Sequence, residues 1–412
     1  MVNMMKWASA LSTRPSLEAA IEEVTEQAQQ LLQAPADLGL IFISAAFASE
    51  YSRLLPLLQA HLSIPVLIGC SGGGVIGALP SGQAQEIEDD AALSLTLAQL
   101  PGVQVHPFHI STEQLPDLDA PPDAWIDLVK VSPREQPQFV LLADPASSGI
   151  NEVLQGLDFA YPDSVKVGGM ASINPISGHS GLFCNQQRYQ DGVVGIALSG
   201  NIVLDAIVAQ GCRPIGQSYR VVEGERNILM QLEEQTEELV TCGAIRTPLE
   251  VLQALFQDLN EDDRLLAQRS LFIGIAQSAF KQTLGQGDFL IRNLLGVDPR
   301  TGAIAIGDRV RPGQRVQFHL RDAKASAEDL ETLLANYHNQ SQTPSPIGAL
   351  MFSCMGRGVG LYNQPNFDSL LFNQYVPVPV SGFFCNGEIG PVGGTTFLHG
   401  YTSVFGICRP RE

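Results

Sequence analysis

The apolar residues of the chain fall into short runs that alternate between two patterns. LGLIFIS (38–44) and IPVLIG (64–69) are near-continuous apolar runs, which are typical of strands buried on both faces. Between them, SEYSRLLPLLQAHL (49–62) has the spacing of a helix. Strand, helix and strand in this order predict a parallel βαβ unit, because a crossover helix returns the chain in the same direction.

The same order recurs twice more along the chain. The predicted second copy runs from PQFVLLADP through INEVLQGLDF to VKVGGMASINPISG (137–178), and the third from IGALMFSCMGRGVG through NFDSLLFNQYV to VPVSGFFCNGEIG (347–390). After each copy we expect an antiparallel hairpin, in EIEDDAALSLTLAQL (86–100), GLFCNQQRYQDGVVGIAL (181–198) and TTFLHGYTSVFGIC (395–408). A weak internal repeat of this kind favours duplicated modules over one doubly wound sheet.

The region between the second and third copies has a different pattern. Thr247, Pro248 and Glu250 form a capping box at the start of a helix, and the apolar segments of 269–322 read as antiparallel strands. The predicted fold is α/β: duplicated βαβ-plus-hairpin modules form mixed sheets covered by helices, in two tandem domains, 1–240 and 241–412.

The charge and composition of the chain disfavour two classes of partner, nucleic acids and anionic membranes. The chain has 412 residues with a formal net charge of -19, which repels nucleic acid and anionic membrane surfaces. Its seven cysteines include no CxxC pair, which suits reduced thiols. No apolar run reaches the roughly 18 residues of a membrane span, and the N-terminus lacks the apolar region of a signal peptide. We therefore expect a soluble, cytoplasmic protein without a transmembrane segment.

Two glycine motifs follow the second predicted strand. GGGVIG (72–77) matches the dinucleotide pattern GxGxxG, and GCSGG (69–73) matches the nucleophile elbow GxSxG with Ser71 at its centre. Both motifs require a helix directly after the glycines. Pro80 comes only three residues after Gly77, which leaves no room for that helix to begin. We interpret this segment as a glycine turn. Because the sequence has no GxxxxGK[ST] and no HExxH, we expect neither a cofactor nor a metal.

Arg357 is the most informative single residue. It lies between two glycines just past an apolar strand, where ligands bind in open parallel sheets, and its fork geometry suits a carboxylate or phosphate. Glu388, in the glycine-rich corner that ends the same repeat, would hold an ammonium group. Together they would clamp a zwitterion such as an amino acid. The alternative is that Arg357 and Glu388 pair with each other or with other protein groups and stabilise the corner.

Three cysteines, Cys70, Cys354 and Cys385, lie at the predicted ends of parallel strands. A buried cysteine commonly packs as a small apolar side chain. The catalytic alternative uses Cys385 or Cys354 as nucleophile with His399 as base. A third reading is an interaction scaffold that binds another protein and no small molecule.

Several segments resemble the FIST family. FLIRNLLGVDPRTGAIAIGD, FSCMGRGVGLY, VSGFFCNGEIGPVGG and TTFLHGYTSVF are similar to its C-terminal half; LGLIFISAAF, IPVLIGCSGGGVIG and VKVGGMAS are similar to its N-terminal half. The resemblance implies tandem N and C modules and an intracellular sensory role in binding small ligands such as amino acids. It implies no catalytic residues.

We therefore expect a non-enzymatic sensory protein that recognises a small anionic or zwitterionic metabolite at glycine-rich strand ends. It would signal through a protein partner, and its low surface charge favours self-association. The predicted ligand-binding residues are Ser71, Gly72, Gly73, Cys354, Arg357, Cys385, Asn386 and Glu388.

Overall fold

The computed structural model describes residues 4–172, 180–235, 243–278, 281, 283–285, 287–340 and 344–411. Cys242 and residues 173–178 of the predicted second repeat lie outside this range. The chain forms two compact units, of which the first contains Met1–Val208 and Glu331–Glu412 and the second Ala209–Leu330. This division by contacts differs from the two tandem domains that the sequence predicts, 1–240 and 241–412. The boundary near residue 240 stays a prediction.

The first unit begins with strands and helices that alternate. They are β1 (Lys6–Ser12), α1 (Leu17–Leu32), β2 (Leu38–Ser44), α2 (Tyr51–His61), β3 (Val66–Gly72), β4 (Val75–Ala78), β5 (Ala84–Ile87), β6 (Leu93–Gln99), β7 (Val103–Ile110), α3 (Pro122–Val129), β8 (Gln138–Ala143), α4 (Ile150–Ala160), β9 (Lys166–Met170), β10 (Leu182–Cys184), β11 (Gln187–Tyr189), β12 (Val193–Gly200) and β13 (Val203–Ala209).

The second unit contains more strand than helix, and the chain then returns to the first unit. The second unit contains β14 (Cys212–Glu225), β15 (Ile228–Glu234), β16 (Ile245–Arg246), α5 (Pro248–Asp258), α6 (Glu261–Ser270), β17 (Leu271–Ala276), β18 (Phe289–Val297), β19 (Ile304–Ile306) and β20 (Arg315–Arg321). Helix α7 (Ala323–Asn339) leads back to β21 (Gly348–Cys354), α8 (Gly358–Tyr362), α9 (Phe367–Tyr375), β22 (Val380–Cys385), β23 (Glu388–Val392), β24 (Thr395–His399) and β25 (Ser403–Arg409).

The three predicted βαβ units are confirmed. Strand β2 pairs with β3, β8 with β9, and β21 with β22, and all three pairs are parallel. We number the three units modules 1 to 3 in chain order. The expected helices connect the pairs, namely α2 in module 1, α4 in module 2 and α9 in module 3, and the short helix α8 of module 3 is an addition that the sequence did not predict. The near-continuous apolar runs are explained by burial on both faces, since β2 is buried along its whole length.

The three modules exchange hairpins in a cycle. Sheet 1 has the strand order β1-β6-β2-β3-β10-β11, sheet 2 β7-β12-β8-β9-β23-β24, and sheet 3 β13-β25-β21-β22-β4-β5. The hairpin that follows module 1 thus completes sheet 3, the one that follows module 2 completes sheet 1, and the one that follows module 3 completes sheet 2. Because of this exchange, each second parallel strand ends at a corner where the chain crosses into another sheet.

The predicted hairpins are only partly correct. Within 181–198, β10 and β11 form the expected hairpin, but β12 belongs to sheet 2. The hairpin predicted over 86–100 is wrong, because β5 pairs with β4 whereas β6 pairs with β1 and β2. The hairpin predicted over 395–408 is also wrong, because β24 pairs with β23 and β25 pairs with β21. These strands find their partners across modules, which local sequence does not encode.

A glycine occupies the same place in all three parallel pairs. Gly69 lies opposite Ile41, Gly168 opposite Leu141, and Gly382 opposite Met351. A Cβ at these three glycines would lie 2.0, 1.8 and 1.7 Å from the carbonyl oxygen of the facing residue. Glycine within a strand often marks such a close backbone approach. The recurrence of glycine at this place in the three modules therefore has a steric cause.

One apolar core lies between the inner faces of the three sheets. Phe42 of β2 stacks on Phe383 of β22 with ring centroids 5.2 Å apart, and Phe352 of β21 packs edge-on to the same ring at 5.7 Å. Helices α1 and α2 bury their apolar faces on the outside of sheet 1, and α3 and α4 do so on sheet 2. The corners are held in place by this shared core.

The second unit is built on one antiparallel sheet. Its order is β14-β20-β17-β18-β19-β15-β16, and β14 also pairs with β15, so the sheet closes on itself. Helix α5 starts at the predicted capping box, in which Thr247 and Glu250 exchange side-chain and backbone hydrogen bonds. Among the residues that the structure describes, no helix is long and apolar enough to cross a membrane.

Candidate functional site

The glycine corners of the three modules meet. The N–H of Gly73 donates to Phe384 O at 3.0 Å, and the N–H of Phe384 donates to Gly74 O at 3.0 Å. The Ser172 N–H donates to Ser71 O at 3.0 Å, and the Asn386 N–H donates to Met170 O at 3.1 Å. The hairpin exchange therefore brings together strand ends that are far apart in the sequence.

Few groups of this junction are open to solvent. Asn386 is exposed, Gly73 and Cys354 are half-buried, and the Met355 side chain is 52% exposed. A Cβ at Gly73 would lie 2.8 Å from the Met355 sulfur, so the glycine makes room for this thioether. The accessible part of the junction is thus mainly Met355 and Asn386, which are adaptable and uncharged.

The hydroxyl of Ser71 has hydrogen-bond partners within the protein. The Ser71 hydroxyl donates to Ser172 O at 3.0 Å and accepts from the Gly181 N–H at 2.9 Å, and its side chain is buried. Strand β4 follows the glycines directly, so no helix N-terminus is present to bind a pyrophosphate or to form a nucleophile elbow. The interpretation of this segment as a turn agrees with the geometry.

Arg357 is buried and paired within the protein. Its side chain is 0% exposed and forms a fork-to-fork pair with Asp368, with Nε 2.6 Å from Oδ2 and Nη2 2.9 Å from Oδ1. Nη2 also donates to the Tyr362 hydroxyl at 2.5 Å. The guanidinium is committed to the protein, which corresponds to the structural alternative rather than to an open anion clamp. Asp368 lies in the first turn of α9, eleven residues further along the chain.

Two buried glutamates lie near this ion pair. Glu388 is 0% exposed and accepts from the Thr402 N–H at 3.0 Å. Burial raises its pKa well above the usual value, against the opposing effects of the Thr402 hydrogen bond and of Arg357. On the other side, Glu86 of β5 accepts from the Ser369 N–H at 2.7 Å. Burial and the Asp368 carboxylate raise the pKa of Glu86 to about 7.

The raised pKa of Glu86 predicts a defined pH dependence of stability. In the unfolded chain the group titrates near 4.5, and in the folded chain near 7. Between these values only the unfolded state ionises, so the free energy of unfolding falls as pH rises and levels off above the folded pKa. Glu86→Gln keeps the side chain neutral. At pH 8 we expect its melting temperature to exceed that of the wild type by about 3 °C.

Thermal denaturation at pH 4.5 and pH 8 measures this difference. The advantage of Glu86→Gln should be present at pH 8 and almost vanish at pH 4.5, where the wild-type carboxyl is protonated in the folded state and only half ionised in the unfolded state. Glu22→Gln, an exposed position on α1, is the matched control and should leave both temperatures unchanged. A Glu86→Gln protein that is less stable than the wild type at pH 8 would show that the ionised carboxylate stabilises the fold.

The cysteines of the junction give little support to a thiol nucleophile. Cys385 is 0% exposed, its sulfur lies 3.5 Å from Phe383 O, and burial raises its pKa well above the usual value. His399 is buried, with Nε2 3.0 Å from Gly390 O. Cys354 is half-buried and its sulfur accepts from the Gly356 N–H at 3.4 Å. Thiolate formation at Cys385 is opposed by the surroundings of the sulfur.

A groove with a volume of about 710 Å³ lies elsewhere in the first unit. It is lined by the end of α2 and the turn after it, by β7, and by the hairpin β10–β11. We call it the hairpin groove. Leu67 lines it near the start of β3, whereas the junction lies past the end of that strand, so the two are about 20 Å apart.

The hairpin groove carries uncharged polar groups on a fixed frame. Asn185 has a left-handed backbone with φ of 53°, and its Oδ1 accepts from the Leu67 N–H at 3.1 Å. The rings of His109 and Tyr189 stack with centroids 3.8 Å apart. Gln186 and Gln187 are exposed beside them. This groove was not predictable from the sequence, because three separate segments line it, 58–67, 107–109 and 184–189. The NQQRY run in the hairpin was the one available signal.

Comparisons with protein families agree with the fold. A model of the FIST N domain matches residues 37–235, and a model of the FIST C domain matches residues 248–391. The chain is similar to Uncharacterized protein Rv0628c of Mycobacterium tuberculosis, with 32% identity over 403 residues, which are 97% of this chain and 98% of that protein. It is similar to Uncharacterized protein Mb0898c of Mycobacterium bovis, with 31% identity over 394 residues and 95% of each chain covered.

A plant protein is similar to this chain over part of its own length. F-box/LRR-repeat protein At5g63520 of Arabidopsis thaliana is 23% identical over 313 residues, which are 65% of this chain and 57% of that protein. The two family models together match most of the chain, in the order N then C. The chain therefore belongs to the FIST family, whose tandem N and C domains are sensory domains that bind small ligands.

Proposed function

We propose that the protein is a non-enzymatic cytoplasmic sensor that binds a small zwitterionic metabolite, such as an amino acid, in the hairpin groove and signals through a protein partner. The observation that carries this proposal is the groove itself. Its volume of about 710 Å³ lies within the range of roughly 300–1,000 Å³ that small-molecule sites occupy. The junction of glycine corners, which the sequence favoured, offers no open guanidinium.

The lining favours a zwitterion over an anion. Amide side chains both donate and accept hydrogen bonds, so Gln186 and Gln187 can bind an ammonium group and a carboxylate alike. No arginine, lysine, aspartate or glutamate is among the described residues that line the groove. The stacked rings of His109 and Tyr189 supply an apolar face for a side chain.

The position of the groove suggests how binding is transmitted. The hairpin β10–β11 follows module 2 but completes sheet 1, so a ligand bound between this hairpin and α2 contacts two modules at once. A ligand shifts an equilibrium only if it binds one arrangement better than another. If the ligand draws the hairpin closer to sheet 1, the packing of module 1 against module 2 changes. A partner protein would bind one of the two arrangements better than the other.

Calorimetry with a panel of free amino acids tests the proposal. We expect at least one to bind the wild type, and Gln187→Ala and Tyr189→Ala each to weaken that binding by about three- to tenfold, the range of a lost hydrogen bond. Gln30→Ala, an exposed glutamine on α1 outside the groove, is the matched control and should bind normally.

Variants of the junction distinguish the two locations. Met355→Ala and Asn386→Ala alter its accessible groups. If these variants lose the ligand and the groove variants retain it, the site is at the glycine corners. If no amino acid binds the wild type, the ligand class is wrong.

A further inference from the structure

Three arginines surround one depression in the second unit. Its volume is about 550 Å³, and it is lined by Arg226, Asn227, Arg309, Val310 and Arg311. Arg226 lies at the tip of the hairpin β14–β15, and Arg309 and Arg311 lie in the loop between β19 and β20. All three arginines are exposed. We call this set the arginine depression.

The backbone that carries the arginines is firmly held. The Val310 N–H donates to Arg226 O at 2.6 Å, which joins the loop to the hairpin tip. Asn227 exchanges hydrogen bonds with Ile306, from Ile306 N to Asn227 O at 2.9 Å and from Asn227 Nδ2 to Ile306 O at 3.2 Å. Val310 itself is buried. The three guanidinium groups therefore extend from a preorganised frame.

The arginine depression brings three positively charged residues together. None of its three arginines is in an ion pair with another residue in the part of the chain that the structure describes. Asp308, next to Arg309, accepts instead from Arg292 Nε at 2.7 Å. Like charges gathered at one place repel one another, and a bound anion relieves that repulsion. The grouping is unexpected in a chain whose formal net charge is -19.

Arg226 also occupies an unfavourable conformation. Its φ is 55°, the left-handed region in which glycine and asparagine are usual and arginine is uncommon. Asparagine there would relieve the conformational cost, but it would remove a guanidinium from the depression. Backbone strain of this kind often accompanies a functional role.

From this geometry we infer that the arginine depression binds the phosphate group of a small metabolite. Guanidinium forks bind phosphate oxygens in a bidentate manner, and three of them provide more donors than a single carboxylate requires. The acidic chain as a whole repels nucleic acid, which favours a small anion over a polynucleotide. This site is independent of the hairpin groove, and it does not rest on the proposed function.

Calorimetry with inorganic pyrophosphate at low ionic strength tests the inference on the full chain. We expect the wild type to bind, and Arg309→Gln and Arg311→Gln each to weaken binding about tenfold, because each removes a charged hydrogen bond. Arg300→Gln is the matched control, since Arg300 is 89% exposed in the same unit but outside the depression. It should retain wild-type affinity.

Arg226→Asn separates a binding role from a structural one. We expect it to weaken pyrophosphate binding about tenfold while the melting temperature without ligand stays equal or rises. Absence of pyrophosphate binding in the wild type would overturn the inference, as would equal weakening by Arg300→Gln. Tighter binding of a short single-stranded oligonucleotide than of pyrophosphate would overturn the assignment to a small metabolite. Tyr189→Ala, which tests the hairpin groove, should leave pyrophosphate binding unchanged.

Discussion

Gly382→Ala is expected to destabilise the protein by about 4 kcal/mol or more, the range reserved for severe steric or core defects. A Cβ at this position would lie 1.7 Å from Met351 O, and that oxygen belongs to the backbone of the neighbouring parallel strand. The backbone of a central strand cannot move out of contact in the way that a flexible side chain can. Strands β21 and β22 would have to separate, which would break their ladder and loosen the core around Phe383.

Urea unfolding followed by circular dichroism, together with the soluble yield, measures this effect. Gly400→Ala is the matched control: Gly400 lies in the same unit, and a Cβ there would have no atom within 4 Å. It should change the free energy of unfolding by no more than about 0.5 kcal/mol. Because Gly69 and Gly168 occupy equivalent positions, alanine there should be similarly costly. A Gly382→Ala protein of near wild-type stability would show that the strands adjust easily.

The three βαβ units were predictable because their signals are local. Apolar runs mark the parallel strands, helix spacing marks α2 and α4, and each strand lies next to the strand that follows its helix. The hairpin exchange was not predictable in this way. Strand β5 was expected to pair with β6, but its partner is β4, and β6 lies in another sheet. Such pairings depend on the shared core rather than on adjacent sequence.

The meeting of the glycine corners was easier to predict than the chemistry of the groups found there. The glycine corners do meet, and Arg357 does lie close enough to Glu388 to lower its pKa. The partner of Arg357 was missed, although Asp368 is the one charged residue of helix α9 and lies in its first turn. That pattern is a usable signal for a buried ion pair. The hairpin groove and the arginine depression arise from segments that only folding brings together.

Arg357→Met is expected to destabilise the protein by about 3–5 kcal/mol, because it leaves the buried Asp368 carboxylate without its cation. Asp368 is 1% exposed and cannot regain water without opening the fold. Tyr362 and the Tyr401 carbonyl also lose hydrogen bonds from the guanidinium. The double variant Arg357→Met with Asp368→Leu removes both charges, and apolar replacement of a complete buried pair is often close to neutral. It should recover at least half of the lost stability.

Chemical denaturation of the wild type, both single variants and the double variant gives the coupling energy of the pair. The same proteins separate the two roles considered for Arg357. If the guanidinium held the ligand, the double variant would be folded and unable to bind. Since the structure commits the guanidinium to Asp368, we expect the double variant to keep the affinity for a groove ligand that the wild type has. Loss of binding in a stable double variant would indicate that the ligand-binding site lies at the glycine corners.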